Sequence, residues 1–587
     1  MNFFNTVWGT TSRTEKGGVM HPYITVILIT IAVIFFIVIW ILYENHKRRK
    51  QIKRKMQRIY GQVPEREYAA GDIENISHYF RRKEEKGFYI DDITWNDLDM
   101  DRIYMLINQT VSSPGEDVLY DMLRRPLFDR EEVNKREKLI HFFAENKEKR
   151  EKLQIMLSSV GKTWHGSLSD TILALEDAPK VSPGLHWLML GFLLVNILVI
   201  IPLYPVPGFL LFILLSTVNV IYYYAGNDRP RIGAFLDCFS SFLRMLHMAE
   251  KLETVSWPET AQQMENIRKG KMALAGLKKR AFFLTSKNES TGDPAQLFLD
   301  YFRMVFHVDI LTYNKTLEMV QNRKEEIMLL LDNLGELDAA ISIASFREML
   351  PLWCRPEFER KEEGHISLTA EDLYHPLIQE PVANSIQAES GILVTGSNAS
   401  GKSTFLKNVA INSILAQTVI TCTCSFYRAP FLKVMTSMAL RDDLSGGESY
   451  FIVEIRSLKR ILDESRKGEP LLSIIDEVLR GTNTIERIAA SSRILSWLNQ
   501  NWVLPFAATH DIELSYILDS RYRNLHFEEE VQEHQVLFNY LLKEGRAVSR
   551  NAIKLLAMLD YDPDIVKAAE EAARDFERTG VWKSCKK

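Results

Sequence analysis

Nine consecutive residues, Gly396, Ser397, Asn398, Ala399, Ser400, Gly401, Lys402, Ser403 and Thr404, have the types and spacing that hold phosphate groups. The glycines let backbone N–H groups wrap around polyphosphate oxygens, and a helix that starts at the lysine turns its positive end toward them. Lys402 is then placed to reach the β- and γ-phosphates, and Ser403 to offer its hydroxyl to magnesium. Downstream, the apolar run Leu471-Leu-Ser-Ile-Ile ends in two carboxylates, Asp476 and Glu477. Asp476 suits the position that organises magnesium, and Glu477 suits the base that polarises an attacking water. A third apolar run over residues 503–508 leads into Thr509 and His510, where a histidine can sense the γ-phosphate or orient the water. The chemistry implied is binding of ATP with Mg2+ and its hydrolysis, with Glu477, His510 and Lys402 as the catalytic groups.

Between these elements, Asp442-Asp-Leu-Ser445-Gly-Gly-Glu448-Ser449 runs into a helical segment. Ser445 and Glu448 have capping-box spacing, so the start of that helix offers N–H groups and hydroxyls to an anion. The phosphate loop already supplies one helix N-terminus. A second therefore implies a nucleotide gripped from a partner subunit, and so a homodimer.

Side chains this far apart in sequence meet only if a sheet collects them. After Pro351, β-rich runs at 391–395, 419–424, 471–475 and 502–508 alternate with helical segments, the pattern of an α/β P-loop domain with covering helices. Upstream, residues 92–157 read as helices with apolar residues at three-to-four spacing, broken by Ser112-Ser-Pro-Gly115 and Pro126. Residues 231–350 share that all-α texture, and 314–337 predict one elongated helical lever.

The chain has 587 residues, more than one hydrophobic core usually supports, so several domains are expected. A net charge of −4 argues against coating nucleic acid by bulk electrostatics. The five cysteines, Cys238, Cys354, Cys422, Cys424 and Cys585, lack zinc or disulfide-framework spacing and read as reduced cytosolic thiols. Cys422 and Cys424 would share one face of a strand.

Residues 23–43 carry no charge and are long enough to cross a ~30 Å hydrocarbon layer as a helix. They are followed by Lys47, Arg48, Arg49, Lys50, Lys53, Arg54, Lys55 and Arg58, against only Arg13 and Lys16 before them. That asymmetry puts the N-terminus outside and the basic cluster on the cytoplasmic face, touching anionic lipid. Two more uncharged stretches, 187–204 and 209–224, flank Pro205-Val-Pro207 and predict a transmembrane hairpin. The expected order is an extracytoplasmic tail (1–22), a transmembrane helix (23–43), a basic linker (44–91) and a first helical core segment (92–185). A transmembrane hairpin (186–225), a second core or lever segment (226–360) and a P-loop ATPase domain with a helical tail (361–587) complete it. The expectation is a multi-pass plasma-membrane protein with its ATPase domain in the cytoplasm.

Four strings together resemble the MutS family: 396–404 as above, Ser449-Tyr-Phe-Ile-Val-Glu454, Asp476-Glu-Val-Leu-Arg-Gly-Thr482 and Ala508-Thr-His510. The resemblance implies an ATPase fold of the ABC/MutS type in which Ser449 contacts the γ-phosphate held by the opposite subunit. Upstream, residues 101–129, Leu334-Gly-Glu-Leu-Asp338 and Arg355-Pro-Glu357 look like the bounds of the MutS helical core, and His375-Pro-Leu like the entry to its ATPase domain. Gly545 onward, with the helical tail from Pro563, resembles the family's dimerising end. The stretch before Asp92 leaves no room for the mismatch-reading domain, the clamp region is short, and a hairpin interrupts the core. An ATPase engine without its mismatch sensor is expected.

The resemblance implies a membrane-anchored dimeric ATPase driving a clamp or switch motion, with DNA its inherited candidate partner. Two alternatives stand beside it. Leu444-Ser-Gly-Gly-Glu448 echoes the signature of ABC transporter ATPases, although Asp476 lies further beyond it than usual and three uncharged crossings offer little to line a solute path. The other is a nucleotide-regulated membrane scaffold for a protein partner that the sequence does not identify.

Overall fold

Strands buried on both faces read as unbroken apolar runs, and three such runs form the middle of a mostly parallel sheet. The computed structural model describes residues 22–83, 87–162, 180–225, 239, 242–255, 257–281, 301–359, 366–397, 400–438, 450–532, 535–547, 553, 556–557 and 561–584. In chain order the strands are β1 (Glu357–Phe358), β2 (Leu368–Leu373), β3 (Asn384–Ala388), β4 (Gly391–Thr395) and β5 (Phe426–Ala429). They continue with β6 (Lys433–Ser437), β7 (Leu471–Asp476), β8 (Val503–Thr509), β9 (Tyr522–Gln532) and β10 (Gln535–Glu544). The larger sheet has the order β10-β9-β4-β8-β7-β6, parallel throughout except for the β9–β10 pair. A smaller sheet, β1-β5-β2-β3, stands beside it.

Side chains alternate across a strand, so each central strand feeds two cores. Ile392, Val394, Leu472, Ile474, Leu504 and Phe506 enter a large apolar cluster that continues without a break into the helical layer. Leu393, Leu471, Ile475, Val503 and Ala507 enter a second cluster on the opposite face, with Leu458 and Leu495 from the covering helices.

One expected strand is not formed. Residues 419–424 follow the phosphate-loop helix Lys402–Thr418 as a turn, with Ile420 in the left-handed region at φ +53° and Cys422 in an isolated bridge to Cys354. A β-branched residue at positive φ needs strong surroundings to hold it. Here Arg347 donates to the Ile420 carbonyl at 2.8 Å and to the Thr421 hydroxyl at 2.8 Å.

The helical layer contains Met100–Ile107, Ser113–Arg124, Arg130–Glu145, Lys147–Leu157 and the 26-residue helix Lys324–Met349. The single lever expected over 314–337 is broken: Val308–Gln321 ends at Asn322, and Arg323, at φ −131°, turns the chain before the long helix starts. Asp338 on that helix holds Ser112, the N-cap of Ser113–Arg124, accepting from Ser112 Oγ at 2.5 Å, Ser112 N at 2.9 Å and Val111 N at 3.1 Å. The two helices touch backbone to backbone. A Cβ on Gly115 would lie 2.3 Å from Asp338 Oδ2, and one on Gly335 would lie 2.4 Å from the Pro114 carbonyl.

Of the three expected apolar crossings, two helices among the described residues are long and apolar enough: Gly184–Leu203, with a π-helical turn at Asn196–Ile200, and Pro205–Ala225. Only 17% and 22% of their apolar windows are buried, so most of their side chains, such as Phe192, Leu198 and Leu210, face outward. The inner ends of the pair are polar. His186 Nδ1 lies 2.9 Å from His307 Nδ1, the His307 Nε2 lies 3.0 Å from the Asn219 carbonyl, and Tyr223 donates to Asp309. The first expected crossing lies in the helix Pro22–Ile59, a separate compact unit up to Arg58, where the described side chains Phe35, Phe36, Ile39 and Trp40 are exposed.

Candidate nucleotide site

Ligands of a parallel sheet gather at the carboxyl ends of its strands. Register aligns those ends: Thr395 of β4 pairs with Thr509 of β8, and Asp476 of β7 pairs with Ala508. The residues just past these positions are Gly396, Glu477 and His510, which is why three segments read separately in the sequence converge.

The loop after β4 turns at Gly396, φ +148°, and enters the helix at Gly401, φ +107°. A Cβ on Gly396 would meet the Phe527 carbonyl at 2.9 Å, so the loop sits directly against β9. Lys402 is buried and donates to the carbonyls of Gly396 at 2.9 Å and Ser397 at 2.6 Å. Burial lowers its pKa, and the charges of Asp476, Glu477 and Glu529 oppose that shift. The Ser397 hydroxyl donates to Glu529, and Ser400 Oγ is buried with no protein partner. Asn398, Ala399 and Ser449, with the whole segment 439–449, lie outside the described residues.

Asp476 ends β7 with its Oδ1 buried and unpartnered, while its carboxyl receives a hydrogen bond from Ser403. Burial is the chief cause that raises its pKa. An orphaned carboxylate oxygen beside a hydroxyl is a donor set that fits a hard divalent cation of the magnesium kind. Glu477 has φ +57°, and its N–H is held by the Ala508 carbonyl at 3.0 Å. Its Oε1 lies 2.8 Å from His510 Nε2 and its Oε2 lies 3.1 Å from Arg480 Nε. The hydrogen bond from His510 is the main reason its carboxyl is held below the usual range. His510 follows directly after β8, and the next residue, Asp511, is fixed by Arg487 through contacts of 2.6 and 2.8 Å.

Lys402, Ser403 and Glu477 border a cleft of about 470 Å³, and hydrogen bonds tie Asp476 to Ser403 and His510 to Glu477. Its other wall consists of His375, Asn384, Phe527 and Tyr540, beside Lys402, Ser403 and Glu477. His375 stands where the sequence places the entry to the domain; burial pushes its pKa down to about 4, so it faces the cleft as a neutral ring. Asn384, Phe527 and Tyr540 carry no signal in their spacing. They arrive because Asn384 clasps the β9–β10 hairpin, donating to the Tyr540 carbonyl at 3.0 Å and accepting from Leu542 N at 2.7 Å. Arg480, quoted above only as part of a string, emerges as a partner of Glu477. In the same string, Arg480 N donates at 3.2 Å to Glu454, which lies on the helix Tyr450–Ser465.

Comparison with known proteins bears on the same residues. MutS domain V matches residues 392–577. The chain is 30% identical over 282 residues to the DNA mismatch repair protein MutS of Leptospira interrogans, covering 45% of this chain and 32% of that protein. It is 28% identical over 278 residues to the Bacillus subtilis protein of the same name, covering 45% and 31% of the two chains. It is 27% identical over 296 residues to human MutS protein homolog 4, covering 47% and 30%. The chain thus spans about a third of the length of each of these relatives. Over the domain V match, which includes the phosphate loop, the paired carboxylates and the strand-end histidine, this part of the chain is related to the MutS proteins.

Proposed function

We propose that this chain binds and hydrolyses ATP in composite sites of a homodimer held at a membrane, and uses the nucleotide cycle to switch its helical layer. The observation that carries the reading is the convergence of Lys402, Ser403 and Glu477 on one cleft at the carboxyl edge of the sheet, with Asp476 hydrogen-bonded to Ser403 and His510 to Glu477. On this reading, Lys402 exchanges the carbonyls of Gly396 and Ser397 for phosphate oxygens. Ser403 and Asp476 would hold Mg2+, which supplies charge neutralisation at the phosphates. Glu477, ionised and freed from Arg480, accepts a proton from the attacking water, and His510 holds the carboxylate in place. Ser449 from the partner copy completes the site. The test is retention of radiolabelled ATP by the detergent-purified chain and by its Lys402→Ala variant; equal retention by both, or by neither, overturns the reading.

The membrane part rests on the outward apolar faces of Gly184–Leu203 and Pro205–Ala225, which the core helices of a soluble protein would bury. Release of the chain from membranes by an alkaline carbonate wash would contradict it. The charge asymmetry around residues 23–43 supports an external N-terminus and a cytoplasmic ATPase domain in the plasma membrane. Duplex DNA is proposed as a partner from the relatives' names.

A further inference from the structure

Three of the five cysteines meet at one joint of the fold. Cys354 lies just beyond the helix Lys324–Met349, and Cys422 and Cys424 lie just beyond the phosphate-loop helix Lys402–Thr418. Cys354 and Cys422 exchange backbone hydrogen bonds, each N–H donating to the other's carbonyl at 3.0 Å. Cys424 brings its Sγ to 3.5 Å from Cys354 Sγ. The Cys422 thiol donates to the Asn412 carbonyl at 3.8 Å. Cys422 and Cys424 are fully buried, whereas Cys354 is partly exposed and follows three exposed residues, Pro351, Leu352 and Trp353.

This joint holds the two halves of the second unit together. Arg347, at the end of the long helix, forks onto Glu137 at 2.6 and 3.0 Å while also holding Ile420 and Thr421. Arg136 donates to the Thr418 carbonyl at 2.5 Å, and Leu127 N to the Gln417 carbonyl at 2.9 Å. The far end of the helix that carries Lys402 is thus gripped by the helical layer. The thiols thus lie beside one of the contacts between the phosphate-loop helix and that layer; Lys407, paired with Asp99 at 2.8 Å, makes another.

We infer that Cys354 and Cys424 are an oxidation site, a hydroperoxide-sensitive thiol pair whose disulfide clamps the end of the long helix to the end of the phosphate-loop helix. The Cys354 thiolate attacks the hydroperoxide: an S–O bond forms, the O–O bond breaks, sulfur is oxidised by two electrons and the peroxide leaves as water or an alcohol after taking a proton. Cys424 then attacks the sulfenic sulfur. The S–S bond forms, the S–O bond breaks, and the departing hydroxide leaves as water with the Cys424 proton. A thiol reductant reverses the link by exchange. The electrostatics agree with this division of labour, because thiol hydrogen bonds, from Cys422 first, hold Cys354 down to about 4, while the hydrogen bond to Cys354 is the main cause that pushes Cys424 up. The partly exposed sulfur is the nucleophile and the buried one resolves it.

The test uses the full chain in detergent, fully reduced, treated with hydrogen peroxide and then capped with N-ethylmaleimide. A non-reducing digest should contain a peptide linked between Cys354 and Cys424, lost on dithiothreitol treatment and missing from Cys354→Ser and Cys424→Ser variants. Unlinked cysteines in folded protein, or a link from Cys354 to Cys422 instead, would overturn the pairing. The link should lower ATP turnover by roughly tenfold or more and leave labelled ATP retention unchanged, because the clamp restrains motion and does not touch the cleft. Turnover should recover with dithiothreitol, and that of the Cys354→Ser variant should ignore peroxide. Linked protein that still turns over at the reduced rate overturns the clamp. This readout rests on the ATPase reading; a reduced chain with no turnover counts against that reading alone. Slower amide exchange over 402–425 on oxidation then decides the clamp, and unchanged exchange overturns it.

Discussion

Glu477 carries its carboxylate on a left-handed backbone, with Leu479 two residues on also at φ +57°. Such conformations cost of order 1–3 kcal/mol and persist where the surroundings over-determine them. Here the Ala508 carbonyl, His510 and Arg480 together do so. Glu477→Gln keeps the shape and a hydrogen bond to His510 but removes the basic oxygen. ATP retention should persist, and turnover in a single-turnover assay should fall by about a hundredfold or more. Unimpaired turnover would take the base assignment away from Glu477. That Lys402, Ser403, Asp476 and Glu477 come together at one edge of the sheet was legible because phosphate and magnesium chemistry restricts residue type and order. Tyr540, Phe527 and Asn384 were not, since an aromatic or amide beside a strand is common and only pairing of distant strands sets these at the cleft.

At the scale of elements, the helix contact between Ser113–Arg124 and Lys324–Met349 depends on Gly115, Gly335 and Asp338 acting together. Asp338 is fully buried, and burial pushes its carboxyl up to about 6 from 3.8. The sign follows: with the folded pKa above the unfolded one, the stability this group adds is fully present below 3.8 and lost as pH rises through 6. Asp338→Asn should therefore flatten the change in thermal unfolding midpoint between pH 4 and pH 7 (~3 units). Asp338→Ala should lower stability by about 2–4 kcal/mol in denaturant unfolding, because buried N–H groups of Val111 and Ser112 lose their acceptor. A midpoint unmoved by either substitution would show that this hold on the N-cap is dispensable. The helix break at Pro126 was readable from residue type, whereas the one expected over Ser112 to Gly115 falls at 108–112, with Ser112 as N-cap and Ser113, Pro114 and Gly115 in the first turn of the next helix. The interruption at Asn322 and Arg323 was not readable, since neither residue is a strong breaker.

At the scale of the whole molecule, the proposed site is shared between two copies. Subunits with Lys402→Ala and subunits with Ser449→Ala each lack one half of every site in their own homodimers. A mixture should recover about a quarter of normal turnover, if subunits pair at random so that half the dimers are mixed and each holds one intact site. A mixture as inactive as its components would rule out donation across the interface. The DNA partner is tested by titrating matched and mismatched duplexes over a salt series. Binding that weakens steeply with salt and is equal for both duplexes would fit phosphate contacts without mismatch reading. Preference for the mismatch would contradict the expected loss of the sensor, and no binding at low salt would remove DNA as a partner.

The sequence by itself determined which residues form the phosphate loop and the carboxylate strand end, and the kind of sheet that holds them, because phosphate wrapping, metal binding and burial on both strand faces each demand particular residues in a local order. It also determined the uncharged stretches of the hairpin, since hydropathy is a local property. Tertiary structure alone decided that Cys354 and Cys424 lie side by side, that the run 419–424 turns where a strand was expected, and that Arg347 holds Ile420 in a left-handed conformation. Those outcomes depend on which surfaces pack together across long loops, and one cysteine or arginine in a chain carries no sign of the partner that folding brings to it.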